Sequence, residues 1–186
     1  MNTERTQKKQ LILAVSGVKN SGKTTLITKI LPFLKAKGLN VAVIKHDGHD
    51  FEADVPQTDS WKFAKAGADG TLVFSKTKYM MIHYDTVLSE EEFIASFPRA
   101  DIIVLEGFKY AKYPKIEVIR KGNSNKSVCD GETLLGIVTD FEKEELKEQE
   151  ILKTEKWEKQ IRIFDLNQAE PLAEWIYQLW KKIRKG

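Results

Sequence analysis

Residues 10–31 read QLILAVSGVKNSGKTTLITKIL, and this stretch restricts the fold more than any other part of the chain. An unbroken apolar run suits a strand buried on both faces. Two glycines follow with four residues between them, then a lysine and a threonine, then apolar residues at helical spacing. The pattern is G-x-x-x-x-G-K-[ST], set between a strand and a helix, where a phosphate-binding loop belongs. Gly17 and Gly22 let the backbone curl with its N–H groups turned inward. A helix opening at Lys23 aims its positive end at the same point. Lys23 reaches the β- and γ-phosphates, and Thr24 offers a hydroxyl to Mg²⁺. Asn20 and Ser21 complete the loop. Lys19 either adds charge near the γ-phosphate or is solvated.

Strands alternate with helices along the rest of the chain. The first helix is expected from Lys23 to about Ala36, stopped at Gly38 and bent at Pro32. NVAVIKH is a strand, and TDSWKFAKAGA a helix capped by Thr58 or Asp59 and ending near Gly67. DGTLVFS and KYMMIHY form a hairpin. SEEEFIASF is a short helix capped by Ser89. ADIIVLEG, PKIEVIRKG, TLLGIVTD and IRIFD are further strands. EKEELKEQEILKTEKW is a solvated helix or loop, and PLAEWIYQLWKKIRK an amphipathic helix with Pro171 at its start. Residues 107–133 look like a mobile loop around an extra strand. The expected fold is α/β: a mostly parallel sheet flanked by helices, of the P-loop NTPase type, with an added hairpin. Residues 10–186 are expected to be one nucleotide-binding domain, and 1–9 a loose tail.

Composition narrows the function. Among 186 residues, Lys plus Arg is 30 and Asp plus Glu 27, a net charge of +3. No basic run is interleaved with aromatics, which argues against nucleic acid. One cysteine, Cys129, excludes an internal disulfide framework. With no apolar leader and no spanning run, the expectation is a cytoplasmic protein without a membrane partner.

A P-loop site needs an acidic element on a neighbouring strand. DIIVLEG supplies Glu106 at a strand's C-terminal end, placed to hold Mg²⁺ through a water or to orient an attacking water. KHDGHDFEAD crowds Lys45, His46, Asp47, His49, Asp50 and Asp54 together. It reads as a switch segment with Asp47 as metal or water ligand, as a transition-metal site on His46 and His49, or as a polar surface loop. Asn-Lys-x-Asp, a common guanine signature, is absent, since NKS at 125–127 runs into Val128. Asp140, ending TLLGIVTD, is placed to accept from guanine N1 and N2 or simply to end a turn. A small-molecule kinase would carry the same loop, but the five arginines (Arg5, Arg99, Arg120, Arg162 and Arg184) are scattered. A metallochaperone GTPase is the other alternative.

Three stretches taken together resemble the molybdopterin-guanine dinucleotide biosynthesis adaptor family: GVKNSGKTTLI, KHDGHDFEADVPQTDSWKFAKAGADGTLV and DIIVLEGFKYAKYPKIEVIR. The resemblance covers about residues 10–140. It implies a P-loop GTP-binding protein with weak GTPase activity, a homodimer that works with the guanylyltransferase joining GMP to molybdopterin. GTP, Mg²⁺ and molybdopterin are the ligands it suggests. Gly17, Lys19, Gly22, Lys23, Thr24 and Thr25 would contact phosphate. His46, Asp47, Asp54, Asp59 and Glu106 would surround nucleotide and metal. Where the family usually has Pro-Gly-Lys-Asp-Ser, this chain has Pro56-Gln57-Thr58-Asp59-Ser60, so one possible phosphate contact is lost.

Overall fold

The computed structural model describes residues 9–84, 88–124, 126–149, 151–152, 154, 157 and 160–185. The expected tail therefore falls, up to residue 8, outside the described residues, as does Asn125. Two compact units divide the chain: residues up to His46 together with Ile94 onward, and Asp47–Phe93.

In the first unit six strands form one sheet: β1 (Leu11–Ser16), β2 (Val41–Lys45), β5 (Ile102–Glu106), β6 (Lys115–Ile119), β7 (Leu134–Thr139) and β8 (Arg162–Asp165). Their order is β2-β5-β1-β6-β7-β8, and every pairing is parallel. The expected parallel α/β sheet is present. β1 lies between β5 and β6, with Val15 beside Glu106 and Ser16 beside Glu117. Parallel strands end on one side, so the ends of β1, β5, β6 and β7 face a common rim, where ligands of such sheets bind.

Helices cover the sheet because its strands are apolar on both faces. α1 (Lys23–Ala36) buries Leu26, Ile27, Ile30 and Leu34. These side chains join Leu13 and Val15 of β1 and Leu172 and Ile176 of the last helix, α5 (Ala169–Lys185), in one core. Each such fully buried Leu or Ile contributes about 1.5–3 kcal/mol. α5 begins two residues before the expected Pro171, which falls in its first turn, where a missing N–H costs nothing.

Two expectations are corrected. Residues 107–133 do flank a strand, but it is no addition to the sheet: β6 is internal to it and all five of its residues are buried. The charged stretch after β7 is not simply solvated. It contains α4 (Lys143–Glu148), and Leu146, Ile151 and Leu152 pack with Ile119, Ile137 and Ile161 in a second core. Three apolar side chains among many Lys and Glu suffice to anchor it. Among the described residues no helix is long and apolar enough to cross a membrane.

The second unit holds α2 (Asp59–Lys65), the start of α3 (Glu90–Ala95), and the expected hairpin, β3 (Gly70–Phe74) antiparallel to β4 (Tyr79–His83). Thr58 caps α2 by accepting the Trp61 N–H, and Ser89 caps α3 by accepting that of Glu92. Just before α2, Gln57 takes φ 72°, a left-handed conformation. Glycine, the residue the family pattern places there, adopts it freely. Gln57→Gly should therefore raise stability by about 0.5–1 kcal/mol. Thermal and urea unfolding check this, with an unchanged or lowered midpoint as the contrary result.

Candidate functional site at the ends of the parallel strands

The loop from Gly17 to Thr24 leaves β1 against the backbone of β6. Gly17 has φ 140°, and a Cβ there would stand 2.5 Å from the Val118 carbonyl oxygen and 2.9 Å from Ser21 Oγ. Only glycine passes this point. Asn20 (φ 62°) and Gly22 (φ 99°) are also left-handed, which turns the loop back on itself. Asn123 donates to the Lys19 carbonyl at 3.3 Å, so the segment after β6 holds the loop's tip.

Ser21 Oγ is buried without a hydrogen-bond partner. Lys23 Nζ folds inward and donates to the carbonyls of Val18 (2.7 Å) and Gly17 (3.2 Å). Burial draws the Lys23 pKa below its ordinary value; Glu106 opposes the shift, and Lys109 and Lys45 add to it. The loop thus gathers positive charge, one orphaned hydroxyl and a helix N-terminus around one point, and these features fit an oxyanion such as phosphate.

Thr24 Oγ1 donates to Glu106 Oε1 at 2.6 Å, joining the first turn of α1 to the end of β5. Glu106 is buried and Thr24 exposed. A hydroxyl and a carboxylate paired beside a phosphate loop are the hard oxygen donors Mg²⁺ takes, so these residues fit that ion. Beyond Glu106 the chain turns sharply, with Gly107 at φ 102° and Phe108 at φ 41°. Ser16 Oγ donates to the Gly107 carbonyl, which ties the turn to the end of β1.

Two buried charges escaped the sequence reading. Lys115 and Glu117 alternate with Ile116 and Val118, a pattern resembling a half-exposed strand, yet each is only 1% exposed. Lys115 Nζ donates to the Lys109 and Ala111 carbonyls. Glu117 accepts from Ser127 Oγ and from the Val128 N–H at 2.7 Å. Charged residues in a strand whose neighbours are continuously apolar were the available signal. Beside them, burial and then the Glu117 carboxylate push the Cys129 thiol up to about 12, leaving it protonated and unreactive at neutral pH.

Asp140, half-buried after β7, accepts the Lys121 N–H at 2.7 Å, and its other oxygen lies 3.9 Å from Arg120. The carboxylate therefore holds the segment after β6, and lone pairs remain for a further donor. His46 ends the first unit, packed edge-on to Phe108 at 5.9 Å. Asp47 and His49 open the second unit in an exposed, irregular segment. There Asp54 Oδ1 accepts from Val55 N–H and Thr58 Oγ1, and Asp59 lies 3.5 Å from Lys62. Among the described residues, no group of three or more His, Cys, Asp and Glu could hold a metal ion. Gly17→Ala should cost about 1–3 kcal/mol, because β6 backbone has no room to retreat. Urea unfolding measures it, and a midpoint equal to the unaltered chain's would show that the loop adapts.

Residues 12–140 match the family described as Molybdopterin guanine dinucleotide synthesis protein B, MobB. The molybdopterin-guanine dinucleotide biosynthesis adapter protein of Escherichia coli K12 is 36% identical over 121 residues, which are 62% of this chain and 69% of that one. The adapter protein of that name from Haemophilus influenzae is 30% identical over 133 residues, 70% of this chain and 75% of that one. A crystal structure of a molybdopterin-guanine biosynthesis protein B superposes with TM-score 0.61 at 28% identity, covering 91% of this chain and 99% of the other. With the family match spanning most of its length, this chain belongs to the MobB family of molybdopterin guanine dinucleotide synthesis proteins.

Proposed function

We propose that this protein is a GTP-binding adaptor with weak GTPase activity in molybdenum cofactor biosynthesis. In this reading it works in the cytoplasm and assists the guanylyltransferase that forms molybdopterin-guanine dinucleotide, with molybdopterin as a further ligand of the pair. The observation that carries the proposal is the 2.6 Å bond between Thr24 and Glu106 beside an inward-turned Lys23. It supports a nucleotide site with its phosphate and metal halves in register, and family membership supports the pathway.

The N–H groups of residues 17–25 surround the phosphates, with Gly17, Lys19, Asn20, Ser21, Gly22 and Thr25 forming or flanking the loop. Lys23 exchanges its two loop carbonyls for phosphate oxygens. Thr24 and Glu106 would hold Mg²⁺, which when bound would neutralise charge on the β- and γ-phosphates. Glu106 orients a water for slow hydrolysis. Asp140 accepts from guanine N1 and N2.

The protein acts as a homodimer in this proposal. On one face of the hairpin, Leu72 stands opposite Met81 and Phe74 opposite Tyr79. All four are between 54% and 77% exposed. Among the described residues of the second unit no hydrophobic side chain is fully buried. Two strands with one uncovered apolar face need a second layer to be stable. A second copy supplies a matching face by two-fold symmetry.

Three measurements test this reading. Calorimetry with GTP and ATP, each with and without Mg²⁺, should show Mg²⁺-dependent preference for GTP; preference for ATP would turn the reading towards a kinase. Lys23→Ala should weaken GTP binding at least about 100-fold with the fold intact, whereas unchanged affinity removes the loop from the proposal. Sedimentation should find a dimer that Phe74→Lys with Met81→Lys converts to monomer, and an unaltered chain that sediments as a monomer at micromolar concentration overturns the dimer.

A further inference from the structure

The turn that follows Glu106 is built more firmly than a connection needs to be. Gly107 and Phe108 are both left-handed, at φ 102° and φ 41°. For phenylalanine this conformation carries strain and persists only where surrounding contacts impose it. Three contacts do so. Gly107 N–H donates to the Val15 carbonyl at 2.9 Å, and its own carbonyl accepts from Ser16 Oγ. The Lys115 ammonium, 1% exposed, gives its hydrogen bonds to the Lys109 and Ala111 carbonyls. A lysine so deeply buried, held by carbonyl oxygens alone among the bonds resolved for it, is costly to fold. What it secures is the position of residues 109–111.

Within that turn Lys109 lies 4.8 Å from the Tyr110 ring centroid, which braces its ammonium. The turn leaves β5 directly after Glu106, whose carboxylate bonds Thr24 on the metal side of the phosphate loop. We propose that residues 107–111 form a second lip of the phosphate site, in which Lys109 contacts the terminal phosphate of a nucleoside triphosphate and buried Lys115 is the residue that positions it. This rests on the nucleotide-site reading above and adds to it a cation supplied within the chain, where the scattered arginines supply none.

The proposal separates the terminal phosphate from the rest of the nucleotide, and its test does the same. Affinities for GDP and for the slowly hydrolysed GTPγS, each with Mg²⁺, are measured by calorimetry on the full chain. Lys109→Met, which keeps the stem, should weaken GTPγS about tenfold more than GDP, and Lys109→Arg should restore most of the loss. An unchanged ratio of the two affinities in Lys109→Met overturns the proposal. Lys115→Met should shift the ratio in the same direction, and the Lys109→Met/Lys115→Met double variant should be no worse than Lys109→Met alone, because one residue acts through the other. Equal loss for both nucleotides in Lys115→Met would reduce Lys115 to a packing role and overturn that half. Should Lys115→Met fail to fold, the two Lys109 variants still decide the matter. Binding of neither nucleotide by the unaltered chain would instead fail the nucleotide-site reading itself, and this proposal with it.

Discussion

The passage of Gly17 beneath the Val118 carbonyl is the contact on which the site depends. β1 is enclosed by β5 and β6, so its chain must leave the sheet within one residue of Ser16. A Cβ at Gly17 would fall 2.5 Å from a backbone oxygen that the β6–β7 pairing holds in place. Glycine at that point lets the loop turn tightly enough for α1 to begin at Lys23, with its first turn facing the end of β5. The Thr24–Glu106 bond follows from that proximity. A looser exit would separate the two halves of the site by a residue's length, and the same side chains would no longer meet.

Buried polarity then stiffens the rim. Lys115 and Glu117 sit on β6, each satisfied by groups from the irregular segments that follow β5 and β6. A buried charge paired this way contributes little net stability against an apolar side chain of equal size. It does demand one arrangement of its partners, since any other leaves a charge unsatisfied in low dielectric. The segments 107–111 and 127–128 are therefore fixed in shape although they lack regular structure. Asp140 acts alike on the segment after β6, and Asn123 carries that constraint to the tip of the phosphate loop.

Much of this was legible in the residues. The phosphate loop announces itself because glycine, lysine and threonine have few substitutes there, and Glu106 because it ends an apolar run. The hairpin and the Thr58 and Ser89 caps follow from turn and cap chemistry. What could not be read depends on contacts far apart in the chain: Thr24 and Glu106 are separated by 82 positions, and no local pattern reports that they bond. PKIEVIRKG reads correctly as a strand, but its place inside the sheet, with Lys115 and Glu117 buried, shows only in the sheet order. The segment after β7 reads as solvated because its three core residues are outnumbered by charges.

The electrostatics of the rim give the arrangement its direction. Burial, with Lys109 and Lys45, lowers the Lys23 pKa, and Glu106 opposes them. Lys23 donates to two carbonyls of its own loop. These are weak acceptors, since neither carries a full negative charge. In the proposed function a phosphate chain would offer Lys23 full negative charges and draw it from its loop carbonyls, with the backbone already held by Gly17, Ser16 and Lys115. Preorganisation of this kind favours binding because the ordering cost has been met in folding. It does less for hydrolysis, which also needs a precisely held water and charge on the leaving oxygens. In the proposed reading, a rim whose backbone is fixed before any phosphate arrives suits retention of a nucleotide, which is the property an adaptor requires.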